Sequence, residues 1–279
     1  MTPSLLHRAA SSLRRTNFAG RSVTLAEGAL VVAGTSLLAA RADARTAAAL
    51  AGIGALGLAD DLLEPIQRRA GRPVSKGLRG HLGALREGHL TTGAAKALGI
   101  PVLALAATAT APAPGGLVRV GADAALIAGC ANLANLLDLR PGRALKVVLP
   151  AAAAFAVLGA GAGTTEEGVH GDADAARARS GAGLARAALM PGLLALPADL
   201  REHGMLGDAG ANVLGAAVGA AATRVLPVPA RGALLVGVVA LTLASEKVSF
   251  SAVIDRTPVL HALDRLGRRP LPSAEETGR

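Results

Sequence analysis

Residues Ala49–Pro65 read ALAGIGALGLADDLLEP, an uninterrupted apolar helix pattern that ends in two adjacent aspartates, a third acid and a proline. The pattern predicts a membrane-spanning helix that ends near Pro65, because proline discourages helix continuation. Asp60 and Asp61 lie four and three residues before Glu64, so the acids share one helix face. Carboxylates are unfavourable at the negative end of a helix dipole. The stretch therefore predicts that a positively charged partner lies beside these acids.

The composition of the whole chain is that of a membrane protein. Of 279 residues, 51% are hydrophobic, and the mean hydropathy is +0.44. The charged residues cluster between apolar runs that are about as long as a bilayer is thick. Aromatic belts are missing, since the chain has 3 Phe and no Trp or Tyr. The single Cys130 excludes an internal disulfide.

The net charge of +9 predicts an anionic partner. The basic residues lie mainly beside the apolar runs, without interleaved aromatic residues or a nucleic-acid-binding motif. We therefore predict anionic lipid or phosphate as the partner, and no nucleic acid.

Eight apolar runs are candidate spans and predict an all-α, polytopic membrane bundle. Arginines and lysines between the runs fall mostly on the side that holds the N-terminus, so the positive-inside rule predicts cytoplasmic termini and a plasma-membrane location. The candidate spans are 23–40, 46–63, 97–112, 117–138, 146–162, 183–198, 207–224 and 231–248. The predicted organisation is a cytoplasmic N-terminal segment, one membrane domain and a cytoplasmic tail, over residues 1–22, 23–248 and 249–279.

Further polar residues fall at the cytoplasmic ends of later spans. Asn132, Asn135 and Asp138 step by three along the fourth span and drift slowly round one side of the helix. Polar groups at this depth are costly unless they face a cavity or another helix, although asparagines also serve as interhelical hydrogen-bonding groups. Asp208 opens the seventh span, where a helix N-cap is the alternative role.

The loop after the second span supplies candidate cations. Lys76 and Arg79, in SKGLRGHL, are expected to contact phosphate, with positive-inside charge as the alternative explanation. Carboxylates suit Mg²⁺, which binds one or two acids and completes its shell with water and substrate phosphate. Phosphoryl transfer requires little beyond a metal ion, positioning and cations on the phosphates. The inventory predicts Mg²⁺ and phosphate chemistry at the cytoplasmic face.

Three motifs occur in order along the chain: GLADDLLEP at 57–65, NLANLLDLRPGR at 132–143 and MLGDAGANVLG at 205–215. Together they resemble the polyprenyl-phosphate N-acetylhexosamine-1-phosphate transferases, the family that includes the phospho-N-acetylmuramoyl-pentapeptide transferase of peptidoglycan synthesis. The resemblance extends from about Asn17 to the tail. It implies a Mg²⁺-dependent transfer of a sugar-1-phosphate from a UDP-sugar to a polyprenyl phosphate, with release of UMP, in cell-wall biogenesis. The sequence leaves open whether the protein forms a homodimer.

The resemblance also implies roles for single residues. Asp60, Asp61 and Asp208 become the catalytic acids, and Asp61 and Asp208 become the metal ligands. Asn135 and Asp138 match a segment that contributes to the nucleotide-sugar site. The full set of expected substrate-binding residues is Asn132, Asn135, Asp138, Lys76 and Arg79.

The chain departs from the family pattern at several positions. Leu139 and Arg140 follow Asp138, where the family commonly continues to a second aspartate. The histidine-rich loop is reduced to His261, and Met205 stands where an aromatic residue often stacks on uracil. The family's first and last spans have no counterpart. Two alternatives therefore stay open: a non-catalytic relative that binds lipid phosphate or scaffolds envelope synthesis, and a small transporter whose intramembrane polar residues line a solute path.

Overall fold

The computed structural model of the chain describes residues 13–69, 91–111, 115–161 and 172–270. Within these ranges the chain is a bundle of helices that follows one short antiparallel hairpin, with strands β1 (Arg14–Thr16) and β2 (Ser22–Thr24). The longer helices are α1 (Ala26–Ala40), α2 (Ala44–Arg69), α3 (Thr92–Ala109), α4 (Leu117–Leu137), α5 (Arg143–Gly161), α6 (Asp172–Leu200), α7 (Gly207–Val225) and α8 (Val228–Ser245). Two short helices follow them, α9 (Phe250–Arg256) and α10 (Pro258–Arg265).

Six of the described helices are long and apolar enough to cross a membrane: α2 over Ala44–Leu63, α3, α4, α5, α6 and α8. Helix α1 is apolar but shorter. Large apolar side chains such as Leu30, Val118 and Leu194 are exposed on the outer faces of the bundle. A hydrocarbon-facing surface has this character, because lipid tails are as apolar as leucine. The prediction of an all-α membrane bundle is confirmed at this level.

Helix α7 forms the centre of the bundle and packs against α1, α2, α4, α5 and α6. Its sequence, GDAGANVLGAAVGAAATRV, consists mostly of small residues, which let neighbouring backbones approach closely. A Cβ added to Gly215 would lie 2.3 Å from the carbonyl oxygen of Cys130 in α4. A Cβ on Gly219 would lie 2.9 Å from the Cα of Ile127. The polar residues at the two ends of α7 are therefore held within the bundle.

Helix α2 continues to Arg69, so the predicted helix end near Pro65 is wrong. Proline has no N–H, which leaves the carbonyl of the residue four positions earlier, Asp61, without its intrahelical donor. The Nη2 of Arg15 donates to that carbonyl at 2.5 Å. An external donor thus replaces the missing hydrogen bond, and membrane helices tolerate proline where such replacement occurs.

The hairpin is a structural feature that the sequence interpretation did not include. Between its strands, the side-chain oxygen of Asn17 accepts hydrogen bonds from the N–H groups of Ala19 and Arg21, both at 2.9 Å. Thr24 of β2 also bridges to Gly204, three residues before the start of α7. The described part of the N-terminal segment is therefore folded against the bundle.

The C-terminal segment docks on the same end of the bundle through Asp264. Arg143 Nε, at the start of α5, donates to Asp264 at 2.7 Å, and Arg268 pairs with the same carboxylate at 2.6 Å. Burial alone would raise the pKa of Asp264, but hydrogen bonding to Arg143 and the charges of Arg143 and Arg268 hold the pKa below its usual value. Arg21 Nη2 donates to the carbonyl of Pro270 at 3.2 Å. Both ends of the described chain therefore meet.

Candidate functional site

Two of the predicted aspartates share one cation. The Nζ of Lys96, in the first turns of α3, lies 2.9 Å from Asp60 Oδ2 in α2 and also forms an ion pair with Asp208 in α7. The three side chains are mostly buried, with exposed fractions of 17% for Lys96, 12% for Asp60 and 26% for Asp208. With both aspartates ionised, this group of Asp60, Lys96 and Asp208 carries one net negative charge. Lys96 is therefore a positive partner of Asp60, whereas the sequence interpretation had assigned that role to Mg²⁺.

Asp61 points instead at the start of α7. Its Oδ1 accepts from the N–H of Asp208 and its Oδ2 from the N–H of Ala209, both at 3.1 Å. The first N–H groups of a helix have no intrahelical partner, so a carboxylate supplied by α2 satisfies two of them. The N-cap position of α7 is Leu206, which gives no side-chain cap. Asp61 thus caps α7, and Asp208 is left to pair with Lys96.

A close helix contact makes this capping geometry feasible. A Cβ on Gly57, one turn before Asp61, would lie 2.6 Å from the carbonyl oxygen of Asp208 and 2.7 Å from the Cα of Ala209. Glycine therefore lets α2 lie against the first turn of α7. On the other side of α7, a Cβ on Gly28 of α1 would lie 1.9 Å from the carbonyl oxygen of Leu206. Because Gly28 and Gly57 have no side chain, the N-terminus of α7 can lie closely packed between α1 and α2.

The other predicted residues differ in their placement. Asp138, directly after α4, lies close enough to Asp61, Asp199 and Asp208 to interact with them electrostatically. Asn135 is partly exposed and Asn132 is exposed. Within the described ranges, neither asparagine side chain is seen in a hydrogen bond with these acids. Lys76 and Arg79 lie outside the described residues.

The sequence interpretation missed two buried acids at this end of the bundle. Glu27 of α1 is buried, and neither carboxylate oxygen has a hydrogen-bond partner in the described part of the chain. Asp199, near the end of α6, is also buried and accepts from the N–H of Gly142 at 2.7 Å. Glu27 is an isolated acid inside the apolar run VTLAEGALVV, residues 23–32. An acid in such a run indicates a functional site, so the sequence did carry a signal for this residue. The pairing of Lys96 with Asp60 and Asp208 was missed as well, because Lys76 and Arg79 were taken as the first candidate cations.

The arrangement fits cation and phosphate chemistry better than a closed metal site. Among the described residues, no three or more His, Cys, Asp and Glu side chains are grouped so that they could hold a metal ion. The Asp60 and Asp208 carboxylates nevertheless meet at one cation. Such a pair fits Mg²⁺ when water and substrate phosphate complete the coordination shell.

Comparisons of the chain with protein-family models, curated proteins and solved structures find no match.

Proposed function

We propose that this protein is a Mg²⁺-dependent membrane transferase that moves a sugar-1-phosphate, of the N-acetylhexosamine type, from a UDP-sugar to a polyprenyl phosphate. One observation carries the proposal: α2, α3 and α7 bring Asp60, Lys96 and Asp208 into contact, although the two aspartates are far apart in sequence. Phosphoryl transfer depends on positioning and on the stabilisation of phosphate charge, which two carboxylates, a bound cation and an ammonium group supply.

In this proposal, each of the contacting residues has a separate role. Asp60 and Asp208 would hold Mg²⁺, which would supply neutralisation of the negative charge on the UDP-sugar diphosphate. Lys96 then donates to a phosphate oxygen instead of bridging the two aspartates. Asp61 acts as a positioning residue, because it fixes the N–H groups of Asp208 and Ala209. The geometry thus favours Asp60 over Asp61 as the second metal ligand.

The proposal includes a membrane arrangement. Helices α1 and α7 join the six apolar helices to make eight spans, and the end of the bundle that holds Asp60 and Asp208 faces the cytoplasm of a plasma membrane. The described N-terminal hairpin and the C-terminal helices pack at this same end. A cytoplasmic site fits the proposed donor, since UDP-sugars are made in the cytoplasm. Asn135 and Asp138 stay the proposed contacts for the nucleotide-sugar.

Incorporation of a radiolabelled sugar into lipid tests this function. Vesicles that contain the purified protein are incubated with polyprenyl phosphate and radiolabelled UDP-N-acetylglucosamine, with or without Mg²⁺, and the lipid extract is counted. We expect Mg²⁺-dependent labelling that falls on the order of 10²-fold in Asp208→Asn, since a metal contact contributes several kcal/mol to the transition state. Asp174→Asn, an exposed site at the start of α6, is the matched control.

The position of Lys96 favours a second candidate, a non-catalytic protein that binds lipid phosphate. Its ammonium group already neutralises part of the charge that a metal ion would neutralise. Binding of polyprenyl phosphate without UMP release from any UDP-sugar, in the presence of Mg²⁺, would support this candidate and exclude the transferase.

A further inference from the structure

A second polar site lies at the opposite end of the bundle, where α4 and α8 begin. Helix α4 ends beside the acids around Asp208, so its first turn, which starts at Leu117, lies at the far end. A cavity of about 530 Å³ opens there between the first turns of α4 and α8. Its walls are mainly apolar, and its charged lining residues are Arg119, Asp123 and Arg231.

The described residues at the cavity carry an excess of positive charge. Arg231 Nη1 donates to both carboxylate oxygens of Asp123, at 2.8 and 2.7 Å. Arg177 Nη2 lies 3.7 Å from the same carboxylate, and Arg119 interacts with it electrostatically. Three guanidinium groups therefore surround one carboxylate. Within the described ranges, no second acid is seen in an ion pair with these arginines.

Two of these arginines also have donors without acceptors. The side chain of Arg231 is 6% exposed, yet its Nε has no hydrogen-bond partner within the described part of the chain. The buried Nε of Arg119 is likewise without a partner there. A buried donor that lacks an acceptor destabilises the protein, and an anion bound in the cavity beside these two guanidinium groups would offset part of that cost through its charge. Guanidinium groups match the oxygens of a phosphate especially well.

We propose that this cavity binds the phosphate group of an anionic phospholipid, with Arg119 and Arg231 as the donors. The apolar walls decide in favour of a lipid over a free phosphate ion, because Leu117 and Val118 line the cavity and are 91% and 88% exposed. These side chains provide the surface on which an acyl chain lies. The site is separate from the group of Asp60, Lys96 and Asp208 and does not depend on the transferase proposal.

Native mass spectrometry of the full-length protein in detergent tests the site. We expect one phosphatidylglycerol to bind, with Arg119→Gln weakening the binding about tenfold, as the loss of a charge-assisted hydrogen bond predicts. Val118→Asp, at an exposed position on the cavity wall, is expected to weaken it similarly through charge repulsion. Arg179→Gln removes an exposed arginine from the same end of α6 and should leave binding unchanged. Thermal melts of the detergent-solubilised variants check that each one is folded.

Two further probes separate the sources of the phosphate group. Phosphatidylcholine, which carries no net charge, is expected to bind at least about tenfold more weakly than phosphatidylglycerol. Inorganic phosphate at millimolar concentration is expected not to displace the lipid. Equal binding by Arg119→Gln and the unaltered protein, equal binding of the two lipids, or displacement by inorganic phosphate would each overturn the proposal.

Discussion

At the scale of single residues, Lys96 decides the charge balance of the site. Without its ammonium group, Asp60 and Asp208 would face each other without a cation. We expect Lys96→Met to destabilise the protein by about 3 kcal/mol, because removing one partner of a buried ion pair leaves uncompensated charge. Thermal unfolding in detergent measures this loss, with Lys247→Met at an exposed position as the control.

Added Mg²⁺ distinguishes a cation site from a purely structural ion pair. In Lys96→Met, the ion takes the place of the lost ammonium group, so Mg²⁺ is expected to raise the melting temperature more in this variant than in the unaltered protein. A melting temperature of Lys96→Met that does not respond to Mg²⁺ would mean that Asp60 and Asp208 do not bind the ion.

Glu27 is a position at which a substitution is expected to stabilise the protein rather than destabilise it. Its buried carboxylate has no hydrogen-bond partner among the described residues, and Asp199 lies close enough to repel it. Glu27→Gln removes the buried ionisable group at nearly constant volume and is expected to stabilise the protein by about 1 kcal/mol. Chemical unfolding with a mild denaturing detergent measures the change. Destabilisation of the variant would show that Glu27 has a positively charged partner.

At the scale of the secondary-structure elements, the contact between α2 and α7 builds the site. Gly57→Ala would place a methyl group 2.6 Å from the carbonyl oxygen of Asp208 and force the helices apart. We expect a loss of about 1–3 kcal/mol, the usual cost of overpacking, together with a loss of labelling activity. Gly237→Ala, which meets no atom within 4 Å in α8, is expected to be neutral or slightly stabilising. Equal melting temperatures for the two variants would contradict this description of the contact.

The sequence predicted the elements better than the contacts between them. Apolar runs located the helices, since hydropathy and length are local properties, and the motif order anticipated that Asp60, Asp61 and Asp208 would meet. The continuation of α2 through Pro65 depends on Arg15, which is distant in sequence. The pairing of Lys96 with two acids depends on helix packing in the same way. Such non-local donors and cations leave no periodic signal in the sequence.

At the scale of the whole molecule, Asp264 ties the C-terminal helices to the bundle. Its pKa is lowered in the folded protein, so its contribution to stability is complete above its usual pKa of about 4 and is lost as the pH falls through the lower, folded-state value. We expect docking to be independent of pH between about 5 and 8. Hydrogen exchange over residues 250–265 measures docking.

Two variants complete that measurement. Asp264→Asn is expected to speed hydrogen exchange of α9 and α10 at neutral pH, because Arg143 and Arg268 lose their shared carboxylate. Asp255→Asn, at a 53% exposed side chain, is the control and should exchange like the unaltered protein. Unchanged exchange in Asp264→Asn would assign docking to the apolar contacts of the segment.

Binding of Mn²⁺, a spectroscopic substitute for Mg²⁺, tests most directly whether Asp60 and Asp208 form a cation and phosphate site. Electron paramagnetic resonance counts free Mn²⁺ while the ion is titrated into the purified protein with a UDP-sugar present. We expect one ion to bind, binding to be lost in Asp60→Asn and Asp208→Asn, and the control Asp174→Asn to bind normally. Undiminished Mn²⁺ binding by Asp208→Asn, or no binding by the unaltered protein, would contradict the assignment.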